Sequence, residues 1–160
     1  MPLDEKHTPI YLNDHLAGST VGLALAKRTL ASNRGTQFEP VLERIAREID
    51  EDRETLREIM RTLGVGEDRV KKLAPYLAER VGRLKLNGSW LSYSPLSRLV
   101  EFEGLALGIT GKLALWRALR NAGDDRLAAF DLEALEQRAA DQQELMEEQR
   151  QEAARIALEA

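Results

Sequence analysis

Residues 38–63 read FEPVLERIAREIDEDRETLREIMRTL. Within this run Phe38, Val41, Leu42, Ile45, Ile49, Leu56, Ile59, Met60 and Leu63 recur at alternating steps of three and four. That is the spacing of one face of a long helix. Asp52 falls on the same face. A carboxylate in an apolar seam is a metal ligand, a catalytic group or a buried acid with a local partner, because an unpaired buried charge is costly. The charged residues around it, among them Arg47, Glu48, Asp50, Glu51, Arg53, Glu54, Arg57, Glu58 and Arg61, read as the solvated face of that helix.

Working outward, residues 10–30 carry Leu12, Leu16, Ser19, Leu23, Ala26 and Leu30 at helical spacing. Asn33-Arg34-Gly35 ends this first helix, since glycine takes the left-handed conformation without steric cost. Gly64-Val65-Gly66 stops the second helix. Residues 64–95 form a long crossover with a helix of its own over about 67–85, broken at Asn87-Gly88-Ser89. Ser94-Pro95 opens a third long helix: serine caps, and proline suits the first helical position. That helix runs to about Arg120 and ends at Asn121-Ala122-Gly123. A fourth begins between Asp125 and Asp131, with Leu132, Leu135, Ala139, Gln142, Met146, Gln149, Ala153 and Ile156 facing inward. Residues 1–9 read as a flexible tail. The 160 residues suffice for one all-α domain with its own core. Two short turns make two antiparallel hairpins, and the long crossover docks them with the second and third helices parallel.

Composition narrows the chemistry. There is no cysteine, so disulfides, zinc-thiolate sites and thiol catalysis are excluded. Met1–Lys6 has no leader pattern, and no apolar stretch approaches the length of a membrane span. The expectation is a soluble cytoplasmic protein. Residues 67–98 are basic on balance and residues 124–160 acidic. No recognisable reading motif accompanies the basic stretch, so this asymmetry points to complementary helical surfaces rather than to nucleic acid. Gly18, Gly22 and Ala26 in the first helix and Gly104, Gly108 and Gly111 in the third recur near one-turn spacing. Each helical glycine costs about 1 kcal/mol relative to alanine. A ligand slot or a dimer face would compensate, but tight packing of first helix against third is the expectation. Trp90, Tyr93 and Trp116 are read as anchors of the crossover.

The helix order, the single long crossover and the run Ile49-Asp50-Glu51-Asp52-Arg53-Glu54-Thr55-Leu56 before Leu63-Gly64 resemble the ferritin-like superfamily. Diiron members of that superfamily often carry Glu-x-x-His-x-x-x-Leu on the second helix, so the resemblance places Ile49 and Asp52 at the glutamate and the histidine. It places Ser19 at the first-helix ligand, Ala106 at the third-helix ligand with Glu103 one turn earlier, and Ala139 and Gln142 at the fourth-helix pair. A diiron site needs about four carboxylates and two imidazoles. The chain has only His7 and His15. The resemblance therefore implies the fold without the usual oxidase or iron-storage activity.

Two readings of Asp52 follow. In the first it belongs to a polar core layer with Ser19, Lys112 and Gln142, and the chain is a metal-free binding or assembly module without catalytic residues or cofactor. In the second Asp52, Glu103 and His15 hold one iron or manganese ion, and the chain is a metal-binding protein or metal-dependent oxidoreductase. The first is favoured, with a non-enzymatic homo-oligomer, most simply a dimer, and no membrane or nucleic-acid partner. Taken by itself, Lys112 reads first as a snorkelling side chain, then as a charge partner, and last as a Schiff-base lysine.

Overall fold

Proline and serine set where the helices start. Pro9 and Pro40 lie in the first turns of α1 (Thr8–Ser32) and α2 (Glu39–Thr62), where a missing N–H costs nothing. Pro95 opens α3 (Pro95–Ala122), and the Ser94 hydroxyl accepts from the Ser97 N–H at 3.1 Å. Asp131 caps α4 (Leu132–Leu158) through the Ala134 N–H. Gly35, with φ +76°, supplies the left-handed residue that turns the chain from α1 into α2. The computed structural model describes residues 3–67 and 93–159. Among these there is no strand. The helix expected over 67–85, the break at Asn87-Gly88-Ser89 and Trp90 lie outside the described residues.

Helix directions follow from side chains that meet across the interface. Phe38 at the start of α2 packs edge-on against Phe102 near the start of α3, ring centroids 5.2 Å apart. Asp52 in mid-α2 pairs with Lys112 in mid-α3. The two helices therefore run parallel. Arg117 reaches Glu136 near the start of α4, and Gln143 reaches Thr110, so α3 and α4 are antiparallel. Residues 67 and 93 consequently stand at opposite ends of the helices.

The core has two apolar clusters. One holds Phe38, Leu42, Ile45, Phe102, Leu105 and Met146. The other holds Leu12, Leu16, Leu56, Ile59, Met60 and Trp116. Asp52, Lys112 and Gln142 fall in sequence between the members of the first cluster and those of the second.

Two expectations need correction. Residues 3–9 are docked instead of free: Leu3 packs against the second cluster, its N–H donates to Asp124 Oδ2 at 2.8 Å, and α1 begins at Thr8. The apolar Leu3 side chain and the Asp124 carboxylate at the α3–α4 turn, which also accepts from Arg126, hold this lead-in. Glu48, assigned to the solvated face, is buried at 8% exposure. Being four residues before Asp52, it shares that residue's side of the helix.

Candidate ligand cleft and the buried charge network

A buried charge must find partners, and Asp52 finds two. Lys112 Nζ donates to its Oδ2 at 2.5 Å, and the Arg138 guanidinium donates to its Oδ1. Lys112 also donates to the Gln142 amide oxygen. The Gln142 amide nitrogen donates to Glu48 Oε2 at 2.7 Å, and Arg44 donates to Glu48 Oε1 at 2.8 Å. Arg138 closes the outer edge on Glu51 at 3.0 Å. Burial pulls the Lys112 ammonium below the usual lysine range, against the opposing pull of Asp52. Burial also works against the Glu48 carboxylate, but hydrogen bonds from Arg44 and Gln142 outweigh it and hold its pKa below the ordinary glutamate value.

The structure thus joins Asp52, Lys112 and Gln142. Lys112 is a buried pairing residue and does not snorkel: its side chain is 14% exposed. Ser19 stands outside the network, its hydroxyl donating to the Leu16 carbonyl at 2.7 Å in its own helix. The set Asp52, Glu103 and His15 is not assembled. Glu103 is exposed on α3 and reaches toward Arg150 on α4 at 4.0 Å. Among the described residues no three of His, Asp and Glu converge as metal ligands would. The partners missed from sequence are Glu48 and Arg138. Each lies four residues before a recognised member, Asp52 and Gln142, and that spacing was the available signal.

Beside the network lies a cleft of about 360 Å³ between α1, α2 and α3. Gly18 and Gly22 wall it from α1, and Gly104, Gly108 and Gly111 from α3. Tight α1–α3 packing at these glycines is corrected by the geometry. Among the described residues, a Cβ built at Gly18, Gly22, Gly108 or Gly111 meets no heavy atom within 4 Å, whereas at Gly104 it approaches Leu25 Cδ2 at 3.0 Å. The glycines open a slot instead of closing a contact. Ile49, Leu56, Leu105 and Ile109 line its apolar part, with Asp52, Lys112, Ser19 and His15 among its polar lining. Trp116 also lines it, 1% exposed, and its indole N–H has no acceptor among the described residues. A buried donor without an acceptor calls for an explanation.

His15 packs edge-on against Tyr11 in the cleft wall, ring centroids 4.6 Å apart. Burial lowers its pKa, and nearby Asp14 opposes the shift only in part. The folded chain therefore binds this proton less readily than the unfolded chain. The stability held by neutral His15 is full above about pH 6.5, the unfolded value, and is lost as pH falls through the lower folded value. His15→Gln should flatten that limb of the stability-versus-pH curve, measured by urea midpoints between pH 7 and 5. An identical limb in the variant would assign the loss to other groups.

A second polar cluster ties the start of α3 to the end of α1. Glu101, 6% exposed, accepts from Arg28 at 2.5 Å and from the Tyr93 hydroxyl at 2.9 Å. Asn33 donates to Tyr93, and Arg98 donates back to Asn33 at 2.5 Å. Tyr93 thus fastens the chain where it enters α3. Trp116 belongs to the second apolar cluster, and most of the crossover it was expected to anchor lies outside the described residues. No helix is long and apolar enough to cross a membrane among the described residues. No protein-family model, curated protein or solved structure matches this chain.

Proposed function

We propose that this chain is a metal-free binding module built on a ferritin-like four-helix bundle with a helical crossover, and that its working site is the cleft between α1, α2 and α3. The observation that carries this reading is the glycine wall. Four glycines in helix interiors have room for at least a methyl group and carry none. Helix propensity alone would favour alanine at each. The parallel α2 and α3, and the hairpins α1–α2 and α3–α4, support the ferritin-like topology. Ile49 and Ala139, both buried, and Ala106 place carbon where that superfamily would place ligands. Both carboxylate oxygens of Asp52 accept from cations, which disfavours a further cation there. In the proposed form the chain is a cytoplasmic homodimer, and the exposed Leu96, Val100 and Leu107 on one face of α3 offer it an apolar contact.

The test is a thermal-shift screen of small apolar molecules against the wild type and Gly108→Leu. Binders should raise the melting temperature of the wild type and leave the variant, whose new side chain enters the slot, unmoved. Iron, manganese and zinc measured in protein purified without chelator should each fall well below one equivalent. Stoichiometric metal that survives gel filtration and disappears in Asp52→Ala would overturn the reading in favour of a metal-dependent protein. A screen without any binder would remove the cleft as its working site.

A further inference from the structure

We infer that the cleft takes a neutral, largely apolar small molecule carrying one hydrogen-bond acceptor, such as a medium-chain ketone. The inference rests on the proposed binding role of the cleft and deepens it by naming the ligand class.

Size comes first. At about 30 Å³ per water, a space of 360 Å³ corresponds to roughly a dozen waters. Water against Ile49, Leu56, Leu105 and Ile109 has few polar partners, so an apolar molecule of that bulk displaces it favourably.

Charge then selects neutral over ionic ligands. The two permanent cations on the cleft wall are already engaged. Lys112 pairs with Asp52 at 2.5 Å, and Arg53 lies 3.3 Å from Glu54 and 3.8 Å from Asp50. A ligand carboxylate would find no unengaged counter-ion and would face Asp52. A ligand ammonium would face Lys112 and Arg53; of the two carboxylates on the wall, Asp52 already pairs with Lys112 and Arg138, and Asp14 lies exposed to solvent. Either would be desolvated without compensation, and that is the expensive outcome for a charge.

Hydrogen-bonding capacity selects an acceptor over a donor. Lys112 has three N–H groups, and its two bonds go to Asp52 and Gln142, so one remains. Both Asp52 oxygens already accept. Beside the apolar wall Lys112 therefore has one donor to spare, and a carbonyl or ether oxygen meets it with no net charge.

Calorimetric titration of the full chain with octan-2-one, octanoate and octylammonium separates the cases at one chain length. Octan-2-one should bind at least tenfold more tightly than either ion. Lys112→Met, checked by its melt, should weaken the ketone several-fold by removing the spare donor. A preference for octanoate or octylammonium would overturn the ligand class and leave the cleft a binding site. Unchanged ketone affinity in a folded Lys112→Met would overturn the part assigned to the ammonium. Binding of none of the three, together with an empty thermal-shift screen, would overturn both this inference and the binding role.

Discussion

Replacing Asp52 with leucine is expected to lower stability by about 3–5 kcal/mol, the cost of removing one partner of a buried ion pair. Asp52 is 2% exposed and accepts from both Lys112 and Arg138. Without it Lys112 stays buried on an apolar wall with only the Gln142 carbonyl as partner. Arg138 is less affected, because its side chain is 30% exposed and also holds Glu51. The double variant Asp52→Leu with Lys112→Met should recover most of the loss. A deficit of about 1–2 kcal/mol should remain from the Gln142 oxygen, which then lacks its donor. Lys112→Met alone should be milder than Asp52→Leu, since Arg138 still neutralises the carboxylate. Urea denaturation of the four proteins gives the coupling directly. Simple additivity of the two single changes would show that the contact carries no mutual stabilisation.

The second large effect runs the other way. Changing Gly18, Gly22, Gly108 and Gly111 together to alanine should stabilise the chain by about 3–4 kcal/mol, at close to 1 kcal/mol per helical glycine. For a chain of this length that raises the melting temperature by roughly 10 °C. Each new methyl enters space where no heavy atom stands within 4 Å. Gly104 is left out because its methyl would press on Leu25. The same four methyls narrow the cleft, so tighter folding should come with weaker ligand binding. A fall in melting temperature would mean that the two helices approach more closely at these positions than their backbones indicate.

These two cases also mark how far the amino-acid order could be read. Helix limits followed from local signals, the Ser94-Pro95 start and the glycines at 35 and 123, and the observed helices begin and end within a few residues of them. Asp52 announced itself because a carboxylate breaks an otherwise apolar period. Glu48 and Arg138 did not, because each sits among other charges and looks like part of a solvated face. Only the packing of α4 over α2 turns them inward. The glycine stripes were visible, but a missing side chain is compatible with two backbones in contact or with an open slot. The distance between helices decides that, and no local pattern records it. The cluster of Arg28, Asn33, Tyr93, Arg98 and Glu101 joins residues 60 to 73 positions apart, beyond the reach of periodicity.

The buried network also divides by hairpin. Apart from Arg44, which serves Glu48 within α2, the α1–α2 half contributes the carboxylates of Glu48, Glu51 and Asp52, and the α3–α4 half contributes Lys112, Arg138 and Gln142. Neither half can satisfy this inner surface alone, and a slip of one helical turn would set ions against carbon. Apolar side chains tolerate such a slip far more readily, because attraction between them has no direction. The polar layer therefore works as a recognition code between two fragments of one chain. It admits a single register of docking, and it would let the two hairpins, produced as separate peptides, identify one another.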